Sequence, residues 1–391
     1  MPAKTGESSQ HDKPGTPARA PRHPFAGAVW LFLVLAAAVI AGLLLGVPRL
    51  SPPHPRPRVV VASVPYWNIQ HATAAVLANR QAVTEVSPWI YGLDGSGQIA
   101  TQYGPGRAAA INADVARLRA AGMRIVPSLA NVTGGLWSYQ PVARMLHSPE
   151  RMARQIDKIV RLVEANHYAG IDIDYEQLRA GDRQDFTTFC DHLASALHAK
   201  GKLLSVALFA KTSDAGTSPT NVAQDYNAIG QAADQVRLMG YDYHWASSAP
   251  GPIAPVGWLR DVLRYAKTQI PADKIVLGVP LYGYDWSGGH GTAISWLQAF
   301  RLSREYHAAP RYDTRAQAPW FAYTDAAGRK HTVWLENAAS SRAKFAAAQG
   351  AGINGVYLWM FGYEDTGTWA ALRQVLPVSG PHAPSRARPS P

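Results

Sequence analysis

Apolar runs of strand length alternate with longer amphipathic stretches along most of the chain. Helical patterns such as "ADVARLRAAG" and "RMARQIDKIVRLVEANH" separate the apolar runs. Eight runs rich in Val, Ile and Leu predict strands at residues 58–67, 83–93, 124–131, 169–176, 203–210, 235–243, 274–283 and 353–362. Such alternation favours a parallel sheet, and eight units predict an α/β protein with a closed (β/α)8 TIM barrel. An open doubly wound sheet is the alternative, but no G-x-G-x-x-G follows the first run.

The seventh and eighth runs are separated by about 70 residues, far more than one crossover helix needs. Within this gap "PWFAYTDAAGRKHTVWLE" predicts two strands around a turn at Asp325–Gly328. The following "NAASSRAKFAAAQGAG" predicts the seventh helix of the barrel. We therefore expect a small α+β insertion between strands 7 and 8, at about residues 286–336.

One segment near the N-terminus is apolar enough to cross a membrane. Phe25–Val47 is 23 residues long and carries no charge, so as a helix it would span roughly 35 Å. Because the run is long and lacks a small-x-small cleavage site, we favour an uncleaved transmembrane anchor over a cleaved signal peptide. Lys4, Lys13, Arg19 and Arg22 precede it and predict a cytoplasmic N-terminus. The domain beyond would be extracytoplasmic at the cell membrane; secretion is the alternative.

The predicted barrel and the predicted anchor also define the remaining segments of the chain. Residues 1–24 predict a disordered cytoplasmic tail, and the Pro-rich stretch 48–58 predicts an extended linker of roughly 30 Å. Residues 59–376 form the predicted barrel, and residues 377–391 predict a second disordered tail. The barrel would therefore lie close to the membrane.

Charge and cysteine content exclude several functions. The net charge is +11, but all except about four of these charges lie outside residues 59–376, and no basic stripe with interleaved aromatic residues stands out. We therefore expect no nucleic-acid partner. The single cysteine, Cys190, excludes an internal disulfide and a cysteine-based metal site. His244 has no second ligand at metal-binding spacing, so we expect no metal and no cofactor, and we expect a monomer.

Three carboxylates occupy alternate positions of the fourth apolar run, "AGIDIDYE". In a barrel strand, alternate side chains point to opposite faces, so Asp172, Asp174 and Glu176 would point inward. The residues between them are apolar or aromatic and would pack outward against helices. Like charges crowded at the C-terminal end of a barrel strand raise pKa values and cost stability, which indicates catalysis. The alternative is a solvated edge strand with its acids outside.

The sequence from about residue 58 to 376 resembles glycoside hydrolase family 18. "GIDIDYE" is similar to the signature D-x-x-D-x-D-x-E of that family's fourth strand, and "MGYD" (239–242) resembles its sixth-strand M-x-Y-D. "KIVLGVPLYGYDW" and Trp359 resemble its seventh and eighth strands, and the insertion resembles its chitinase-insertion subdomain. The likeness is strongest to bacterial spore-cortex-lysing and germination-type members. One position departs, because Ala169 stands where the first Asp of the signature is common.

The resemblance implies a substrate-assisted mechanism with named roles. Glu176 would be the general acid, and the acetamido oxygen of the substrate would be the nucleophile. Asp174 would orient the acetamido N–H, and Asp172 would share a proton with Asp174. Tyr241 would hydrogen-bond the acetamido oxygen, and Trp359 would form the apolar floor under the sugar.

Tyr66, Asp242 and Met239 are further candidates for the substrate-binding wall. Aromatic residues on barrel strands also occur as core packing, so Trp359, Tyr241 and Tyr66 each have a structural interpretation. Asp242 could hold a neighbouring loop, and Asn131 at the end of the third strand is interpreted as structural.

Three functions fit these observations. The first is a membrane-anchored glycosidase that cleaves β-linked N-acetylglucosamine-containing polysaccharides, with peptidoglycan favoured over chitin because of the short tether and the germination-type likeness. The second is a lectin-like carbohydrate-binding barrel, which Ala169 favours and the retained Glu176 opposes. The third is a wall-associated scaffold, which would not need Asp174 and Glu176 on one face.

Overall fold

The computed structural model describes residues 58–378, and these residues contain a closed barrel of parallel strands. The barrel strands, numbered one to eight in chain order, are Val59–Pro65, Glu85–Leu93, Ser128–Ala130, Gly170–Asp174, Leu203–Phe209, Gln235–Met239, Ile275–Pro280 and Gly355–Trp359. Strand one pairs with both strand two and strand eight, which closes the ring. The predicted barrel is confirmed, and the open-sheet alternative is wrong because no edge separates the first and last strands.

Helices surround the barrel and cover its outer face. Their bounds are Ile69–Ala78, Pro105–Ala120, Tyr139–Leu146, Pro149–Ala165, Arg183–His198, Pro219–Ala223, Tyr226–Ala232, Val256–Gln269, Ala338–Ala351 and Thr368–Val375. Ile171, Ile173 and Tyr175 of the fourth strand and its exit are fully buried beneath this layer. The ring of Tyr175 stacks 5.8 Å from that of Phe189 and lies 6.3 Å from that of Phe186. The apolar half of the fourth run thus packs outward, as its alternation predicts.

A five-stranded antiparallel sheet stands between barrel strands seven and eight. Its strands, in spatial order, are His290–Ile294, Gly283–Ser287, Lys330–Trp334, Ala318–Thr324 and Arg311–Asp313, and the helix Trp296–Glu305 packs on it. The two strands predicted around Asp325–Gly328 are present and pair with each other. A buried ion pair ties the end of this insertion to the seventh barrel helix, with Lys344 Nζ 2.6 Å from a carboxylate oxygen of Glu336.

Short elements extend the barrel at the C-terminal ends of strands two and three. Ile99–Thr101 pairs antiparallel with strand two, and Val132–Thr133 pairs with Leu136–Trp137 in a small hairpin. Two residues, Arg124–Ile125, pair with strand two ahead of strand three.

Between residues 58 and 378, no helix is long and apolar enough to cross a membrane. The predicted anchor at Phe25–Val47 and the N-terminal tail lie outside the described residues, as do the predicted linker and C-terminal tail apart from Arg58, Pro377 and Val378.

Candidate active site

The fourth barrel strand brings its acids to the interior and upper end of the barrel. The strand ends at Asp174, and Glu176 follows two residues later. Asp172 and Asp174 are buried, whereas Glu176 is partly exposed to the space above the barrel. Solvent exposure therefore increases from Asp172 and Asp174 to Glu176. Glu176 can reach a ligand, whereas the protein encloses the other two carboxyls.

Asp172, the deepest of the three, is held by donors from three other strands. Ser128 Oγ donates to one oxygen over 2.8 Å, and Ser205 Oγ donates to the other over 2.7 Å. The Arg237 guanidinium lies 3.1 Å from the same carboxyl and is fully buried. Arg237 also donates to Glu85 over 2.6 Å, so a buried positive charge is shared between two carboxylates. Each buried charge in this network therefore has a partner, as charges buried in a protein require.

The proton that Asp172 was expected to share with Asp174 has no hydrogen bond to carry it in this structure. Both oxygens of Asp172 accept from the donors just described, and among the described residues no hydrogen bond joins it to Asp174. Asp174 instead accepts a 3.0 Å hydrogen bond from Trp89 Nε1. The Arg237 guanidinium beside Asp172 supplies charge compensation at the lower carboxyl, and the proton shared with Asp174 stays a prediction.

Burial and mutual repulsion raise the pKa of both upper acids. Loss of water raises the pKa of Asp174 to about 7, the charge of Asp172 adds to this rise, and the Trp89 hydrogen bond and Arg237 oppose it. The pKa of Glu176 is raised well above its ordinary value by burial and then by the negative charges of Asp174 and Asp242. A raised pKa favours the protonated form of Glu176, which is the form that a general acid needs.

One oxygen of Asp174, Oδ1, is buried and has no hydrogen-bond partner within residues 58–378. An unpaired buried acceptor costs free energy, on the order of 1–3 kcal/mol. An N–H or O–H donor, from a ligand or from water, would complete this oxygen.

Asn131 fixes the backbone of Glu176 from the end of the third strand. Its Oδ1 accepts from the Glu176 amide over 2.7 Å, and its Nδ2 donates to the Glu176 carbonyl over 2.6 Å. These two bonds replace a sheet rung beyond the end of the strand. The next residue, Gln177, has a left-handed backbone with φ of 55°, which turns the chain away at once. Asn131 is structural, as expected, and the structure it maintains is the position of the acid.

The other predicted polar groups, Tyr241 and Asp242, lie just beyond the C-terminal end of the sixth strand. The strand ends at Met239, which is buried, and Tyr241 and Asp242 follow. Burial raises the pKa of Tyr241 well above its ordinary value, so its hydroxyl stays neutral and can donate. Asp242 accepts hydrogen bonds from the hydroxyls of Tyr282 at 2.5 Å and Tyr284 at 3.2 Å. Although Asp242 as a residue is accessible from above, loss of water around its carboxyl raises its pKa, against the effect of those two bonds.

Trp359, at the end of strand eight, lies at the centre of an aromatic wall. Its ring centroid lies 6.4 Å from that of Tyr241, in a stacked orientation, and 6.2 Å from those of Trp89 and Trp67, edge to face. Tyr66 joins the same wall, with its ring 6.3 Å from Trp89. A wall of this kind presents flat apolar faces, which suit the apolar faces of a sugar ring better than a charged ligand.

An open cleft of about 620 Å³ adjoins these residues on the strand-six side, within the range of roughly 300–1,000 Å³ typical of ligand sites. Met239, Tyr241 and Asp242 line it, together with Trp245 and Trp258. Of the eight candidate residues, Met239, Tyr241 and Asp242 line this cleft, Trp359 contacts Tyr241, and the charges of Glu176 and Asp174 act on Tyr241. Tyr66 contacts Trp89 in the aromatic wall, and Asp172 lies enclosed by Ser128, Ser205 and Arg237.

A comparison with known protein families gives a match over most of the barrel. The profile of the family described as "Glycosyl hydrolases family 18" matches residues 91–364. The chain belongs to glycosyl hydrolase family 18. Residues outside the profile include Tyr66 and Trp67 of the aromatic wall, so their placement rests on the structure alone.

Several known proteins are similar to this chain. A crystal structure of a chitinase from Chromobacterium violaceum ATCC 12472 superposes with a TM-score of 0.76 at 32% identity, covering 82% of this chain and 99% of that one. The spore cortex-lytic enzyme SleL of Bacillus megaterium QM B1551 gives 0.72 at 29% identity, over 83% and 76%. The cortical fragment-lytic enzyme of Bacillus subtilis (strain 168) is 36% identical over 238 residues, 59% of this chain and 55% of the relative. The chain spans about half the length of the curated relatives it matches.

The departure from the family 18 signature lies at the opposite end of the strand from the acid. Ala169 precedes the strand, and its amide donates to the Ile125 carbonyl over 2.8 Å. Its own carbonyl accepts from the Leu203 amide over 3.0 Å. These bonds involve only the backbone and do not depend on which side chain stands at position 169.

Sequence reasoning missed Arg237, Glu85 and Trp89. Arg237 follows Gln235 at the inward-facing spacing of the sixth run, and Glu85 and Ser87 share this spacing in the second run. Polar and ionisable residues at alternate positions of an apolar run identified the fourth strand. The same pattern in the second and sixth runs could have identified Glu85 and Arg237.

Proposed function

We propose that the chain is a glycosidase that hydrolyses β-linked N-acetylglucosamine-containing glycans, with retention of configuration and with assistance from the substrate. One observation carries the proposal: Glu176, a carboxyl whose pKa is raised, lies two residues beyond Asp174, a buried carboxyl with an unpaired oxygen. Family membership supports the reaction class. The aromatic wall around Trp359 supports a sugar as the ligand.

In this mechanism Glu176 protonates the glycosidic oxygen as the bond to the anomeric carbon breaks. The acetamido oxygen of the same sugar attacks that carbon and forms a cationic five-membered ring, so no protein nucleophile is required. Asp174 Oδ1 accepts the acetamido N–H, which completes its missing hydrogen bond. The hydroxyl of Tyr241 donates to the acetamido oxygen. Water then attacks the anomeric carbon, and Glu176 removes its proton.

Asp174 also opposes the positive charge that develops on the ring. Its pKa of about 7 leaves a large ionised fraction at neutral pH, and a cation beside it favours the ionised form further. Stabilisation therefore increases as the reaction proceeds, which is the condition for lowering the barrier. The ion pair of Asp172 and Arg237 lies beneath it.

We favour peptidoglycan over chitin as the natural polymer. Two similar proteins carry names that refer to spore cortex or cortical fragment lysis, and a third is called a chitinase. The predicted membrane tether would place the barrel within reach of a cell wall.

Mixing the purified full-length chain with peptidoglycan and, separately, with chitin oligomers is expected to release defined fragments. Mass spectrometry should show products with one added water per cut and N-acetylglucosamine at the new reducing end. The Glu176→Gln variant is the blank. Intact polymers in both mixtures would refute the proposal, and binding without fragments would favour a lectin-like barrel.

We further propose that Phe25–Val47 anchors the protein in the membrane with the barrel outside the cytoplasm. The charge-free run of 23 residues and the basic residues before it support this. In fractionated cells the protein is expected in the membrane fraction at full length, and an alkaline wash should not release it. A soluble mature form that begins within residues 48–58 would contradict the anchor and support secretion.

A further inference from the structure

A second groove is lined by Trp67 of the aromatic wall and shares no lining residue with the cleft already described. It has a volume of about 630 Å³ and lies between residues 67–71 and the start of the helix Pro105–Ala120. Trp67 forms its wall, is 39% exposed, and contacts Trp359 with ring centroids 6.2 Å apart. Tyr241 lines the cleft and also contacts Trp359, so Trp359 contacts one aromatic lining residue of each depression. A glycan lying over Trp359 would therefore extend one of its neighbouring sugars toward the groove.

Arg107 is the permanently charged residue of this groove, and the protein holds it in place at two points. Its Nη2 donates to the Tyr66 carbonyl over 3.0 Å, and its guanidinium carbon lies 5.7 Å from the centroid of the Tyr66 ring. A guanidinium has five N–H donors, and this hydrogen bond uses one of them. Immobilisation at two points reduces the entropy that a flexible side chain would lose on binding a ligand.

No acid of the described residues neutralises Arg107. None of the ion pairs within residues 58–378 includes it, and the groove lining contains neither Asp nor Glu. Glu364 interacts electrostatically with His71 of the groove lining, and it accepts a hydrogen bond from the Gly362 amide. The groove thus combines a flat aromatic face with a positioned cation.

Building on the proposed function, we propose that this groove binds a carboxylate-bearing sugar of the glycan and that Arg107 pairs with the carboxylate. Arg matches carboxylate geometry through two parallel N–H···O bonds, which makes it specific as well as attractive. In peptidoglycan, every second sugar carries a lactyl ether that ends in a carboxyl group, free or linked to peptide. Chitin carries no such group. Arg107 would then select the acidic copolymer over the neutral homopolymer, and it would act on the free acid.

The test compares the free acid with its neutral ester in one assay. Peptide-free peptidoglycan glycan chains are prepared with their lactyl carboxyls free or methyl-esterified, and KM is measured for each with the full-length chain. The native protein is expected to bind the free acid about three- to tenfold more tightly than the ester, the range between an exposed ion pair and a hydrogen bond to a charged group. In Arg107→Gln this ratio should fall to about one. The preference of the native protein should also weaken as salt is raised.

Arg119→Gln is the matched control. Arg119 lies near the other end of the same helix, is exposed, and also donates to one backbone carbonyl, that of Asn166, over 2.7 Å. The control removes the same charge and should keep the native ratio, so a change seen only in Arg107→Gln is local.

The outcomes separate this inference from the proposed function. An equal rise in KM for acid and ester in Arg107→Gln would show that Arg107 only positions Tyr66, and would overturn the inference. An unchanged ratio in that variant would overturn it as well. If the native protein cleaves neither glycan, the proposed function fails. The inference can then still be tested, because calorimetry measures the ratio of the affinities of the inactive protein for the free acid and the ester.

Discussion

Glu176→Gln is expected to lower turnover by about 10² to 10⁴, because a positioned general acid contributes a factor of that size. The amide keeps the shape of the side chain but cannot transfer a proton to the glycosidic oxygen. The backbone bonds from Asn131 do not depend on the side chain and should hold residue 176 in place. Glycan binding should therefore be largely retained, so that kcat falls and the dissociation constant changes little.

Initial rates on an N-acetylated oligomer and calorimetric titration with the same oligomer measure the two effects separately. Glu164→Gln is the control, since Glu164 is an exposed carboxylate that pairs with Lys200 at 3.3 Å on the outer helices. Native turnover in Glu176→Gln would place the acid elsewhere in the protein. Equal loss in both variants would point to general destabilisation.

Removal of the N-acetyl group from the sugar on the non-reducing side of the cut is expected to have a still larger effect. That group supplies the nucleophile, and an oriented intramolecular nucleophile accounts for up to roughly 7–11 kcal/mol of a barrier. In the proposed mechanism no protein carboxyl takes its place, because Glu176 acts as the acid, Asp174 binds the acetamido N–H, and Asp172 is enclosed by Ser128, Ser205 and Arg237. Fully de-N-acetylated oligomers should therefore be cleaved at or below the detection limit while N-acetylated oligomers of equal length are cleaved, as measured by chromatography of the products.

Local patterns predicted the barrel and the three acids because both depend on periodicity within one strand. Alternation places Asp172 and Asp174 on one face and Ile171 and Ile173 on the other, whatever the neighbouring strands are. The insertion was also visible, because a turn between two alternating runs is a local signal.

The buried network around Asp172 depends instead on register between strands. Ser128 of strand three and Ser205 of strand five both lie level with Asp172 in the closed barrel. A shift of one residue in either strand would turn that serine to the opposite face. Arg237 reaches Asp172 from two strands away across the interior, so the partner of this charge could not be read from its own strand. The proton that Asp172 would share with Asp174 stays a prediction.

The residues of the aromatic wall could be predicted from the sequence only in part. Trp359 and Tyr66 could be placed at strand ends from their position in the sequence, but Trp89 was not distinguished from core packing. Its indole N–H meets Asp174 only because strand two closes against strand one and its neighbours. Contacts of this kind follow from closure of the barrel and become visible only with it.

Anomer-resolved NMR of the first product tests the substrate-assisted mechanism most directly. Attack by the acetamido oxygen and then by water each invert the anomeric carbon, so N-acetylated oligomers should release the β-anomer before mutarotation equilibrates it. The de-N-acetylated oligomers, run in parallel, should give no new anomeric signal. Initial release of the α-anomer, or equal cleavage of the two oligomers, would contradict the mechanism.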